Sequence, residues 1–302
     1  MSTVSAHTGS LTNELAQARE SLARRLQGVD PTDFTALRKA YDAYAENDPL
    51  PEMSTMSEID LGGVSSLGLL PKGCSGDHVI LWLHGGGFTM GSSRSHKGLA
   101  SQVAASAKIA AIVPDYRLAP EHRHPAALED CVRSYQAILG EGVQANRIIL
   151  AGDSAGGGLA VATALRLKEL GLAMPAGMML LSPWVDLGNH GWSHTAKAQR
   201  DPFLTTNGLN TRAVQYLGES KFSILKADLR GLPPTFIQTG EAEILMSDST
   251  SLAERLGAAG VPVSLEIWPE MFHVFQARYP MLGQARNAIQ RLGQWAAAHI
   301  AK

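Results

Sequence analysis

An α/β architecture, with a mostly parallel sheet covered by helices on both faces, is predicted by three observations. Six short runs rich in apolar and β-branched residues recur along the 302-residue chain. Helical patterns of roughly 10 to 20 residues separate them, as right-handed crossovers between parallel strands require. Glycine-rich text directly follows two of the runs, where open sheets of this class place their ligand-binding turns. The strands are expected at Val79 to Leu83, Ala110 to Pro114, Arg147 to Ala151, Met178 to Leu181, Thr235 to Thr239 and Val261 to Trp268.

Before the first strand, Leu11, Leu15, Ala18, Leu22 and Leu26 form one helical stripe. Phe34, Leu37, Tyr41 and Tyr44 form a second. Pro49, Leu50 and Pro51 close that segment, so residues 1–50 read as an N-terminal helical cap and residues 51–302 as the main domain. Further helices are expected at Gly98 to Ala107, Pro125 to Leu139, Ala155 to Leu170, Ser247 to Ala259 and Pro280 to Ile300. Residues 187–230 carry no strand pattern and read as helices, Asn207 to Leu217 among them. The stretch is too long for an ordinary loop and reads as a second part of the cap.

Composition narrows the function classes. With 45% hydrophobic and 18% charged residues and a formal charge of −2, nothing is built to hold nucleic acid or an anionic membrane by bulk electrostatics. Two distant cysteines, Cys74 and Cys131, indicate neither a disulfide framework nor a cysteine metal site. No membrane span and no basic-then-apolar leader is read, so a cytoplasmic protein is expected. His122 and His124 have metal-ligand spacing but no carboxylate or cysteine cluster beside them. Neither a cofactor nor a metal is expected.

The chemistry concentrates in two glycine-rich turns and two later loops. Gly152-Asp-Ser154-Ala-Gly156-Gly157 lies between a strand and a helix, the context in which Gly-x-Ser-x-Gly raises a serine hydroxyl on a tight, strained turn. His84-Gly85-Gly86-Gly87-Phe88 follows another strand, and such loops turn backbone amides toward a developing oxyanion. The amides of Gly86, Gly87 and Ala155 are the expected donors, worth about 3 to 4 kcal/mol apiece in hydrolases. A phosphate reading fails, because Ser92-Ser93 stands where a P-loop needs Lys then Ser or Thr, and Ser154 replaces the middle glycine of a dinucleotide fingerprint. Ser223-Ile-Leu-Lys226 satisfies Ser-x-x-Lys but has no partner motifs. A base for Ser154 is available in His273, after the last strand, in the chain order serine, acid, histidine. Three carboxylates compete for the acid's place after the fifth strand: Glu241, Glu243 and Asp248. Asp248 is accounted for as a first-turn helix residue; Glu243 is preferred, and Glu241 stays open.

Together these segments resemble the bacterial hormone-sensitive-lipase-like carboxylesterases of the α/β-hydrolase fold. The matching text is His84 to Phe88, Asp115-Tyr-Arg-Leu-Ala-Pro-Glu121 with Pro125 to Leu128 and Asp130, Gly152 to Gly157, and the His273 loop. The likeness runs from about Leu61 to the C-terminus. Family members commonly carry Asp-Pro-Leu about thirty residues before the histidine; here Glu243-Ile244-Leu245 stands there. The resemblance therefore implies Glu243 as the acid, with glutamate for aspartate and Asp248 as runner-up. It also implies a structural role for Asp153 and for the Asp115 to Glu121 loop, with Arg117 and Glu121 as candidate partners.

The expected reaction is hydrolysis of esters through Ser154, Glu243 and His273 and an acyl-enzyme, and the resemblance implies that the acyl groups are short-chain. An amidase or peptidase on the same residues is the nearer alternative, and a non-catalytic receptor on the same fold the more distant one. Phe88, Trp184, Phe203, Leu204, Phe272 and Val274 are the candidate pocket residues. The resemblance also implies a homodimer through Val261 to Trp268 and the helix from Pro280.

Overall fold

The computed structural model describes residues 2–220 and 222–300, with side chains described from residue 11 onward. Eight strands form one sheet: β1 (Met53–Asp60), β2 (Ser65–Pro71), β3 (Ser75–Leu83), β4 (Ile109–Pro114), β5 (Ile148–Asp153), β6 (Gly177–Leu181), β7 (Thr235–Gly240) and β8 (Val263–Trp268). Their order is β1-β2-β4-β3-β5-β6-β7-β8. The six strands expected from the sequence are β3 to β8, and they run parallel to one another. The first two were not expected. β1 pairs antiparallel with β2, and β2 antiparallel with β4. β1 reads Met-Ser-Thr-Met-Ser-Glu-Ile-Asp and is largely exposed, so an edge strand with one wet face presents no apolar run to detect.

The helices are α1 (Ser2–Arg24), α2 (Phe34–Ala45), α3 (Ser93–Ala107), α4 (Ala126–Gly140), α5 (Ala155–Glu169), α6 (Ser193–Ala196), α7 (Thr206–Leu217), α8 (Met246–Ala258) and α9 (Gly283–His299). α3 begins five residues earlier than its apolar pattern, because Ser92 and Ser95 form a reciprocal capping box. Thr205 caps α7 by accepting from the Gly208 amide at 3.1 Å.

Side-chain alternation along the central strands builds two cores. On β3, Val79, Leu81 and Leu83 face one side with Ile148, Leu150, Met178 and Leu180, under α4, α5 and α8. Ile80 and Trp82 face the other with Ile149, Ala151, Met179 and Leu181, under α3 and α9. This period of two on strands buried on both faces is what reads in sequence as unbroken apolar runs. α1 belongs to the second core: Leu15, Ala18 and Leu22 pack with Trp82, Leu99, Phe275 and Leu282. The Gly283 amide donates to Glu14 at 3.0 Å. Among the described residues no helix is long and apolar enough to cross a membrane.

Candidate active site

Each element of the site follows the carboxyl end of a parallel strand. Ser154, between β5 and α5, has φ 54° and ψ −122°, a backbone state that strains a residue with a side chain. Its glycine neighbours are required by contact. A Cβ on Gly156 would lie 1.9 Å from the Leu83 carbonyl oxygen, and one on Gly152 would lie 2.5 Å from that of Gly156. The turn is pinned from the adjacent strand: the Ser154 amide donates to Leu181 at 2.8 Å, and the Trp184 amide donates back to Ser154 at 2.9 Å.

The loop after β8 brings His273 over this turn, with Nε2 2.9 Å from the Ser154 Oγ. On the other side of the ring, Nδ1 is 2.6 Å from Oε2 of Glu243. Glu243 is fully buried, which an ionised carboxylate tolerates only when its oxygens are hydrogen-bonded. Its second oxygen accepts from the Gly240 amide at 2.7 Å, the Ser182 hydroxyl at 2.8 Å and the Thr239 hydroxyl. Ser182 also accepts from the Val274 amide at 3.1 Å, so one hydroxyl ties the carboxylate to the histidine loop.

The other two carboxylates of that loop lie elsewhere. Glu241 forms ion pairs with Lys197 and Arg200. Asp248 is buried and accepts from the Val185 and Asp186 amides at 2.9 and 2.8 Å. Burial pushes its carboxyl up to about 8, with the nearby Asp186 and Glu243 adding to the rise. Its free oxygen is 3.9 Å from Nε2 of His194.

The glycine loop after β3 is folded by close approach. Gly86 has φ 115°, and a Cβ there would meet the Met90 carbonyl oxygen at 2.3 Å. Among the described residues the amides of Gly86 and Gly87 have no protein acceptor. That of Ala155 opens α5 and is likewise free of the helix ladder. Asp153 braces the loop, accepting from the Trp82 indole at 3.1 Å and the Gly85 amide at 3.2 Å, with His96 at 3.3 Å. Burial opposes its charge, yet His96 and the Trp82 hydrogen bond hold its carboxyl below the usual value. His84 stacks on Tyr116 at 4.0 Å, and the Tyr116 hydroxyl donates to the His84 carbonyl at 2.6 Å. Burial, reinforced by His96, pushes the His84 imidazole down to about 3, so the ring is a neutral packing group. Arg117 and Glu121 do not pair with each other. Arg117 grips Asp130 on α4 with contacts of 2.8 to 3.0 Å. Glu121 meets Arg38 of α2 instead. Residue spacing gave no sign of that longer reach.

Above the Ser154 hydroxyl lies a cavity of about 230 Å³. Of the six candidate pocket residues, Phe203, Leu204 and Val274 line it. Phe88, Trp184 and Phe272 do not: all three are buried in the cores, and Phe88 is stacked on Tyr216 at 3.8 Å. Large aromatic residues beside a loop satisfy burial first. The lining that sequence reasoning missed comes from α1, α2, α7 and the turn after β8: Leu22, Arg25, Tyr41, Leu209, Arg212 and Arg278. These positions belong to amphipathic stripes or follow His273 by a few residues, and no motif marks them. His124, from the histidine pair, faces Ser220 and Phe222. No cluster that could hold a metal ion occurs among the described residues.

Comparison with known proteins shows the same fold. A family profile described as the alpha/beta hydrolase fold matches residues 80–277. An acetyl-hydrolase of Streptomyces hygroscopicus is 42% identical over 220 residues, covering 71% of this chain and 74% of the relative. An esterase of Acinetobacter venetianus is 33% identical over 267 residues, covering 86% and 88%. The crystal structure of an esterase from the bacterial hormone-sensitive lipase family superimposes with a TM-score of 0.92 at 36% identity, covering 96% of this chain and 99% of that one.

Proposed function

The chain belongs to the bacterial hormone-sensitive-lipase family of α/β-hydrolases and is a carboxylic ester hydrolase; from that premise we propose that it cleaves short-chain acyl esters with Ser154, His273 and Glu243. The observation that carries this reading is the continuous relay of 2.9 Å from Ser154 to His273 and 2.6 Å from His273 to Glu243. Those are hydrogen-bond distances suited to proton transfer and to holding the imidazole in one tautomer.

In the first half-reaction Ser154 Oγ attacks the ester carbonyl carbon while its proton moves to Nε2 of His273. The carbonyl oxygen becomes an alkoxide and receives the amides of Gly86, Gly87 and Ala155. Collapse breaks the carbon–oxygen bond to the alcohol, and His273 returns the proton to that leaving oxygen. Water then attacks the acyl-enzyme, gives a proton to His273, and releases the acid as Ser154 recovers its hydrogen. Glu243 holds the Nδ1 proton throughout and stabilises the imidazolium.

The short-chain preference rests on the size of the cavity and on its closure by Leu22, Tyr41 and Phe203. We assign residues 1–50 and 187–230 to the cap on the same ground, since both supply cavity residues. A homodimer through β8 and α9 finds its support in the edge position of β8, and light scattering on eluted protein tests it. For the reaction itself, intact-mass detection of an organophosphonate adduct followed by peptide mapping is the direct experiment. A single adduct on Ser154 is expected; an adduct elsewhere, or none, overturns the assignment. Rates from acetyl to dodecanoyl esters should peak among short chains, and a maximum at dodecanoyl would contradict the size argument.

A further inference from the structure

One wall of the cavity is charged in a way that ester hydrolysis does not use. Arg25, Arg212 and Arg278 all line it, whereas Asp48 and Asp153 are its carboxylate residues. Asp153 is engaged with Trp82, Gly85 and His96, which leaves Asp48 as the carboxylate beside Arg25 and Arg278.

The pairing at Asp48 is loose. Its Oδ2 is 3.8 Å from Nη2 of Arg278, longer than a charge-assisted hydrogen bond. The Arg278 side chain is only 7% exposed. It donates from Nη1 to the Tyr44 hydroxyl at 2.7 Å, and its buried Nε has no acceptor among the described residues. Arg25 has no carboxylate partner among the described residues. Its guanidinium lies 3.4 Å above the Tyr41 ring and 5.1 Å from that of Tyr44, and its Nε is also buried without an acceptor. Burial lowers the pKa of Arg278, and the neighbouring Arg25 lowers it further. Two cations therefore share one carboxylate at ion-pair rather than hydrogen-bond distance, which leaves net positive charge on this wall. Arg212, whose stem packs 3.3 Å from where a Gly87 Cβ would be, finds only the neutral Thr89 and Gln215 oxygens.

The position of the pair relates it to the reacting centre. Phe203 stacks over His273 with ring centroids 6.3 Å apart, and the Arg25 guanidinium is 5.7 Å from the Phe203 ring. An anion between Arg25 and Arg278 would thus sit one aromatic ring away from the imidazole, inside the same cavity. A planar guanidinium with free donors matches a carboxylate better than any neutral group.

We infer that the substrate of this site is an ester whose non-reacting end carries a carboxylate, such as a monoester of a short dicarboxylic acid, held by Arg25 and Arg278. This rests on the hydrolytic reading above and adds the substrate class to it.

The test compares two isosteric activated esters, mono-4-nitrophenyl adipate and the 4-nitrophenyl ester of adipic acid monoamide. The wild-type enzyme should prefer the carboxylate in kcat/KM by about tenfold or more, as a charge-assisted hydrogen bond implies. The preference should shrink with added salt and fall to near unity in Arg25→Gln and in Arg278→Gln. A wild-type ratio of one or less overturns the inference while leaving ester hydrolysis standing, and so does a preference that both variants retain. Failure of both esters to acylate Ser154 overturns the hydrolytic reading and this inference with it. Should a variant not fold, inhibition of the wild type decides: free adipate should compete with the neutral ester at least about tenfold better than adipamide, and equal inhibition overturns the inference.

Discussion

The floor of the cavity and its helical wall are built on different terms. On the floor each group of the proposed machinery is fixed by several partners: Glu243 has hydrogen bonds on both oxygens, Ser154 is held by the backbone of Leu181 and Trp184, and the glycine loop is braced by Asp153. On the wall, Leu22, Leu26 and Tyr41 meet the cavity through apolar packing, and the arginines retain donors without acceptors. Chemistry that must be repeated to a fraction of an ångström is over-determined, whereas the surface that receives a substrate keeps unspent interactions.

The sharpest way to break this contrast is at its centre. Ser154→Ala should lower kcat by about 10⁶ with an activated ester, measured against the background rate; a burst of product in that variant would sink the floor's assignment. Glu243→Gln should cost about 10⁴ in kcat, because the amide favours the wrong imidazole tautomer. Glu241→Gln, which breaks only surface ion pairs, should stay within a few fold of the wild type. If the two glutamate variants fell equally, hydrogen bonding to His273 would not be what distinguishes them.

A smaller effect is expected at Asp248, whose carboxyl burial holds at about 8 against an ordinary 3.8. The folded form keeps a proton that the unfolded chain releases, so its contribution is complete below about pH 4 and is lost as pH rises through about 8. Asp248→Asn does not titrate, and its Tm should therefore gain on the wild type steadily between about pH 4 and pH 8 and level off above that. Parallel curves would show that the carboxyl is not protonated in the fold. Least of all, Phe203→Ala on the wall should raise KM several-fold with little change in kcat, since it removes contact area and no reacting group; a kcat loss comparable to that of Glu243→Gln would join Phe203 to the floor.

The same contrast explains what was legible in the sequence. Ser154 and the glycine loop are readable because steric rules leave few residue types there, since a Cβ at Gly156 or Gly86 collides with backbone, and the six parallel strands are readable from their apolar runs. His273 and Glu243 follow from chain order and from the lack of another account for Glu243. β1 was missed because an edge strand exposes most of its side chains, and β2 because Ser65, Ser66 and Gly68 interrupt its apolar residues. The pocket was half misread, since Phe88, Trp184 and Phe272 have the same composition signature as a ligand wall but fill the cores. Arg25 and Arg278 are 253 residues apart in number and are joined only by the packing of α1 and the turn after β8; nothing local encodes that meeting.

The seating of α1 bears on how a molecule gets in. Leu15, Ala18 and Leu22 are sunk among Trp82, Leu99 and Leu282, and swinging that rod outward would wet them at about 1.5–3 kcal/mol per leucine. Lifting α1 is therefore a costlier way to admit a molecule than shifting the side chains that line the cavity.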